Sequence, residues 1–260
     1  MALQEYRTLL FASGLGFFLV WELLAPHHRP TSPRGPRWLA NLSLSTVNAI
    51  VSAGLCAVCL HLAAVQGFPW SLQIFAPLDS TPWLRLAAEV LVLDCFIYWQ
   101  HRLFHTVPLL WKFHAVHHTD LDLDVTSASR FHLGEIVVSA LLKLAVALAL
   151  GVSVAGLVLF ECVLLLAAQF QHSNIALPAW LTRLLWFAVV PPEMHRVHHC
   201  PQRHHQDSNF GTLLTVWDWL FRTLVRPASH APTFGVLPPT GPLRILALLR
   251  LPFTGWRKGA

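Results

Sequence analysis

Five apolar stretches, each about as long as a bilayer's hydrocarbon core is thick, constrain this chain more than any other feature. They cover residues 8–26, 42–66, 83–105, 133–150 and 152–171. Only 12% of the residues are charged, 55% are apolar and the mean hydropathy is +0.52. A water-soluble domain of this size could not cover its surface with so few charges. The predicted fold is therefore all-α, an integral membrane protein with about five membrane-embedded helices. Residues 1–82 are expected to form a two-helix N-terminal membrane region, 83–226 the main domain and 227–260 a peripheral tail. The first helix does not read as a cleavable signal, because it has no basic start and no A-x-A site, and Trp21-Glu22 sits in its tail.

Charge sets the orientation. The loop with Arg29, Arg34 and Arg37 is expected on the cytoplasmic side, and the linker 67–82, which has no Lys or Arg, on the outside. Trp70 and Trp83 are its expected interfacial anchors. Counting crossings then brings residues 101–105, 171–172 and 195–199 to the cytoplasmic face, as a histidine-rich helical cap. The net charge of +5 suits a membrane surface rather than nucleic acid. The five cysteines are scattered and read as small buried hydrophobes, with no disulfide framework and no cysteine metal site. A short amphipathic run at 244–251 fits either an interfacial segment or a packed appendage.

Of 16 histidines, twelve lie between positions 101 and 205. His101 and His105 are spaced H-x-x-x-H, while His114-Ala-Val-His117-His118 and His195-Arg-Val-His198-His199 are both H-x-x-H-H. On a helix, positions i, i+3 and i+4 share one face, so these imidazoles are placed to converge on metal. Left neutral without metal, so many rings near hydrocarbon would leave polar atoms unsatisfied. His172 is a ninth candidate by depth and side, and His132 a further ligand or supporting group. Eight to ten imidazoles exceed one octahedral ion, so two metals are expected. Imidazole suits Fe, Zn, Cu and Ni, and the residues alone do not choose. Asp94, Tyr98, His101 and His105 lie on one stripe, so Asp94 is expected to accept the outer N–H of a ligand histidine, or else to bond a neighbouring helix. Glu135 lies beside His132 near the interface. Lys143 either snorkels or pairs with Glu161, with no role assigned. His204-His205 are expected in solvent, His27-His28 have no partner spacing, and His61 and His230 read as bystanders.

The ordered motifs resemble the fatty acid hydroxylase superfamily, also called the sterol desaturase family. The resemblance rests on Asp94-Cys-Phe-Ile-Tyr-Trp-Gln-His101-Arg-Leu-Phe-His105, Trp111-Lys-Phe-His114-Ala-Val-His117-His118, Ser129-Arg-Phe-His132, Gln171-His172-Ser-Asn174 and Met194-His195-Arg-Val-His198-His199. It continues through Asp207-Ser-Asn209-Phe210-Gly211 and Trp217-Asp218-Trp219-Leu-Phe221, covering about residues 88–223. It implies a membrane-bound non-haem di-iron oxygenase that hydroxylates or desaturates a lipid, such as a fatty acyl chain or sterol, with O2 and two electrons. Carried over, the ligands are His101, His105, His114, His117, His118, His172, His195, His198 and His199, holding two Fe, with Zn as a substitute. The chain has no nucleotide, haem or iron–sulfur motif, so a separate reductase, ferredoxin or haem protein is the implied electron donor. Competing readings are a zinc-loaded membrane hydrolase or lyase, a metal transporter or sensor, and a catalytically dead relative. The excess of Arg over Lys points to a bacterial inner membrane, with an endoplasmic reticulum home also open.

Overall fold

The structure is a computed structural model that describes residues 2–66, 71–226, 233–236 and 241–254, with the backbone alone for 2–5, 7 and 56–66. Trp70 and His230, and the side chains of Cys56, Cys59 and His61, fall outside the described residues. All regular elements described are helical: α1 (Ala2–Leu24), α2 (Arg34–Gln66), α3 (Pro82–Thr106), α4 (Pro108–His114), α5 (Leu133–Leu150), α6 (Val154–His172), α7 (Ala179–Leu185), α8 (Pro192–His198), α9 (Arg203–Gln206), α10 (Val216–Leu220) and α11 (Ile245–Arg250).

Local chemistry sets the helix ends. Prolines, which need no partner for a missing N–H, open α3, α4 and α8. The turn between α5 and α6 has Gly151 in the left-handed region at φ +76°, followed by Ser153, whose Oγ accepts from Gly156 N. Gly156 is also a point of close approach, since a β-carbon there would overlap the Glu89 carboxylate. Glu89 accepts from Ser153 N at 2.8 Å and from Ser153 Oγ at 2.7 Å, which fixes α3 against the start of α6.

Residues 34–55, 133–150 and 154–172 form helices long and apolar enough to cross a membrane, and α1 contributes a shorter apolar helix at 8–24. The third apolar stretch behaves differently from the other four. α3 buries Glu89, Asp94 and Gln100 and packs on α6, α4 and α5, so it is the polar-bearing helix at the centre of the bundle. α1 lies on α6, and α2 lies on α5. α5 and α6, although consecutive, diverge from their turn and lean on different neighbours.

α2 begins eight residues before its apolar run because the early residues bind the loop after α4. Arg37, fully buried, donates to Asp120 Oδ1 at 2.5 Å, Asp124 Oδ2 at 2.9 Å and the Asp122 carbonyl at 2.6 Å. Asn41 donates to Asp120 at 3.0 Å, and Arg130 donates back to Asn41 Oδ1 at 2.8 Å. Asp122 accepts from Thr31 and Ser32, and Glu22 from Val125 N and Asn174 N. Burial alone would raise Asp120, but Arg130 and Arg37 outweigh it and hold the carboxyl down to about 2. The run 244–251 takes the packed alternative: Leu248 and Leu251 join Ala40, Leu44 and Val116 in one apolar cluster.

Candidate metal centre

His101 and His105 stand one turn apart near the end of α3. α4 stops at His114, leaving His117 and His118 on the short 3₁₀ turn 117–119. α8 stops at His198, leaving His199 as its C-cap. Each H-x-x-H-H triplet is divided between two groups, where one shared helix face was expected. His101, His105, His114, His118 and His198 form one group, and His117, His172, His195 and His199 a second. The i and i+4 members of each triplet stay together only where both serve one group, as His114 with His118 and His195 with His199. Within each group, one ring nitrogen from every residue lies within 4.8 Å of the others. All nine of the histidines expected from the motifs fall in these two groups.

In the second group the Nε2 atoms of His117 and His172 are 3.0 Å apart, those of His172 and His195 3.0 Å, and those of His195 and His199 3.1 Å. Adjacent ligands on an ion with bonds of about 2.1 Å are separated by about 3.0 Å, so the spacing suits one coordination sphere.

The outer nitrogens decide which way the lone pairs face. His101 Nδ1 meets the Phe210 carbonyl at 2.9 Å, His172 Nδ1 the Ala168 carbonyl at 2.7 Å, His198 Nδ1 the Ser208 carbonyl at 2.7 Å and His114 Nδ1 the Glu135 carboxylate at 2.7 Å. These oxygens can only accept, so each Nδ1 carries a proton, and in the neutral ring the Nε2 presents a lone pair. Burial, reinforced by the neighbouring rings, holds His117, His118, His195, His198 and His199 well below the ordinary histidine range, so these five rings are neutral. His114 Nε2, His198 Nε2 and both nitrogens of His118 are buried without a hydrogen-bond partner among the described residues. Buried lone pairs converging without donors are what a cation would satisfy.

The other sequence candidates lie elsewhere. His132 caps α5, with Nδ1 accepting from Gly134 N at 2.9 Å and Nε2 3.2 Å from the Leu249 carbonyl, and it joins neither group. Asp94 accepts from Trp217 Nε1 at 2.7 Å, Leu214 N at 3.1 Å and Thr212 Oγ1 at 3.4 Å, so its hydrogen bonds go to the chain after α9 rather than to a histidine. Glu135 is a carboxylate that does bond a grouped histidine, and Asp207 Oδ1 lies 3.6 Å from Nδ1 of another, His105. His204 is exposed, and its ring lies tilted against that of the half-buried His205. Lys143 pairs with Glu161.

Sequence reasoning missed the supporting carbonyls at Ala168, Ser208 and Phe210. The last two belong to a turn that Asn209 and Asp218 shape. Asn209 sits at φ +53° and its side chain bonds Met194 O and both backbone atoms of Val225. Asp218 accepts from Phe210 N at 2.9 Å and Gly211 N at 2.8 Å. A cavity of about 280 Å³ reaches both groups, bordered by His101 and His114 of the first and His117, His172 and His195 of the second. Its remaining wall is mainly apolar, with Ile97, Phe104, Phe131, Ile136, Leu164 and Leu165.

Comparison with known proteins gives a consistent picture. Residues 86–223 match the fatty acid hydroxylase family. The chain is 28% identical to ornithine lipid hydroxylase OlsE of Rhizobium tropici, over 97% of this chain and 76% of that protein. It is 32% identical to human alkylglycerol monooxygenase, over 56% of this chain but 32% of the relative. It is 28% identical to fatty acid hydroxylase vlmA of a Lecanicillium species, over 84% of this chain and 63% of that one. No solved structure matches.

Proposed function

The chain belongs to the fatty acid hydroxylase family, and from that premise we propose that it is a membrane-bound di-iron oxygenase that hydroxylates a lipid. The observation that carries the reading is the pair of adjacent, buried imidazole groups with lone pairs facing inward onto an apolar cavity. His101, His105, His114, His118 and His198 would hold one iron, and His117, His172, His195 and His199 the other. The donor set fits: neutral nitrogen ligands with carbonyl and carboxylate acceptors behind them suit a redox-active imidazole-bound metal. Such a centre, when loaded, supplies the activation of O2, and the overall change is insertion of one oxygen atom into a C–H bond with the other leaving as water. That balance takes two electrons and two protons from outside the chain, hence a separate reductase, ferredoxin or haem protein.

The protein's own residues do the rest. Glu135, Ala168, Ser208 and Phe210 hold the rings in one tautomer and one orientation. The apolar cavity wall excludes water and receives hydrocarbon. The relatives named for ornithine lipid and alkylglycerol chemistry support a lipid carrying a polar head group as the substrate class. Helices long enough to cross a bilayer, with Arg29 and Arg34 at the α1–α2 junction, support a centre facing the cytoplasm, and the Arg-rich composition supports a bacterial inner membrane. Hydroxylation is preferred to desaturation because all three relatives are named hydroxylases or monooxygenases.

The test is lipidomics of cells with and without the chain under ¹⁸O₂, with iron and zinc measured on the purified protein. Two irons per chain and a lipid gaining one labelled oxygen are expected. A zinc-loaded protein releasing an unlabelled lipid fragment would replace this reading with the hydrolase.

A further inference from the structure

We propose that a lipid's hydrocarbon chain reaches the histidine groups sideways, through the cleft between α5 and α6. The Lys143–Glu161 ion pair is then the latch that sets the cleft's width and so the carbon presented for attack. This deepens the lipid-hydroxylase reading and rests on it.

The cleft follows from how the helices pack. α5 leans on α2 and α6 on α3 and α1, so the two helices face different neighbours after the Gly151 turn. The cavity that borders both histidine groups occupies this gap, with α5 and α6 as side walls and α3 behind. Both side walls belong to helices apolar enough to cross a membrane, so the gap faces hydrocarbon rather than water. Leu141, Leu142 and Leu159 on the outer faces are exposed, as lipid contacts would be.

Glu135, Ser139 and Lys143 follow at four-residue intervals and all border the cavity, so one stripe of α5 lines it. The first is bonded to His114, and the second accepts from Gln100 Nε2 of α3 at 2.9 Å. The third crosses the gap to Glu161 of α6, with 16% and 20% of the two side chains exposed. Eight residues along α5 from Glu135, and eleven along α6 from His172, put the pair about 12–16 Å from the histidine groups. An ion pair at membrane depth costs more than an apolar pair of the same size. A steric wall needs no charge. A bridge between two helices that lean on different neighbours does need a directional bond, and the Lys143–Glu161 pair supplies one.

The test uses the full-length, metal-loaded protein in phosphatidylcholine nanodiscs doped with a phosphatidylcholine whose palmitoyl chain carries a mid-chain diazirine. Photolysis and peptide mapping should place adducts on cavity residues such as Ile136, Leu164 and Leu165 in excess of Leu141, Leu142 and Leu159. Adducts confined to the outer leucines overturn the proposal, whether or not the protein turns over lipid. Lys143→Met and Glu161→Gln should keep their bound metal and change the ratio of positional isomers in the ¹⁸O-labelled product about fivefold, the factor set by about 1 kcal/mol. The swapped pair K143E/E161K should restore the original ratio. Should the swap fail to fold, K143M/E161M serves instead and must lose selectivity as the single variants do. An unchanged ratio in the single variants, or a folded swap that does not restore it, refutes the latch. Absence of any labelled lipid from the wild-type protein would instead count against the hydroxylase reading, leaving the adduct map to judge the cleft.

Discussion

Glu135 makes one of the shortest buried contacts to a grouped histidine, and replacing it tests whether these rings bind metal at all. Its Oε1 accepts from His114 Nδ1 at 2.7 Å, with both side chains buried. A hydrogen bond to a charged acceptor is worth about 1.5–3 kcal/mol, and removing such a partner from a ligand histidine lowers metal affinity about 10–100-fold. Glu135→Gln keeps an oxygen acceptor but loses the charge, so about tenfold weaker binding is expected. Glu135→Leu also leaves the His114 N–H without a partner in a buried place, and about 100-fold is expected. Chelator competition with Co²⁺ on purified protein, read by the cobalt absorption bands, resolves two sites of different ligand number. Only the group containing His114 should weaken, with the His117, His172, His195 and His199 site holding its affinity within about twofold. Unchanged cobalt affinity in Glu135→Leu would refute the reasoning. So would equal weakening of both sites, which would mark Glu135 as a general support of the fold.

Three further outcomes follow from other parts of the molecule. His198→Ala removes a nitrogen from the five-membered group and His199→Ala one from the four-membered group. Each should lower bound metal by about one ion per chain and abolish lipid product, as elemental analysis beside ¹⁸O lipidomics would show. Arg37→Met leaves Asp120 and Asp124 buried beside a lost cation, at a cost of about 3–5 kcal/mol and hence a fall of about 10 °C in the melting temperature in detergent. A fall under 2 °C, about what 0.5 kcal/mol would give, would show that the network is not needed. Asp120, held down to about 2 from 3.8, stabilises the native state fully above about pH 4 and loses that contribution as the pH drops through about 2. The difference amounts to about 2 kcal/mol, and Asp120→Asn should remove that part of the acid sensitivity in a pH titration of near-UV circular dichroism.

What could be read from the amino-acid order and what could not divide along physical lines. Apolar runs and their punctuation are local, so the five long helices and the Gly151 turn were legible. Pairings between distant segments leave no local mark. Arg37 meets Asp120 across 83 residues, His114 meets Glu135 across 21, and Asp94 finds Trp217 across 123. Of the two expectations for Asp94, the histidine partner is not found and the neighbouring-helix bond is, to Trp217 of α10, a segment far downstream. Carbonyl oxygens at Ala168, Ser208 and Phe210 carry no side-chain signature at all.

The division of the histidines into two groups was not expected from the motif spacing, yet it agrees with the angular step of helical backbone. Successive residues on a helix point about 100° apart, whereas residues four apart differ by about 40°. Two adjacent imidazoles on rigid backbone therefore diverge and cannot face one small ion, while i and i+4 can. In H-x-x-H-H the last residue pairs with the first, and the middle one is left to look elsewhere. His118 stays with His114 and His117 turns away, while His199 stays with His195 and His198 turns away. The middle histidine of each triplet thus joins the group that the other triplet's i, i+4 pair anchors. Two such triplets facing each other exchange one ring each, and that exchange places the two nitrogen clusters side by side.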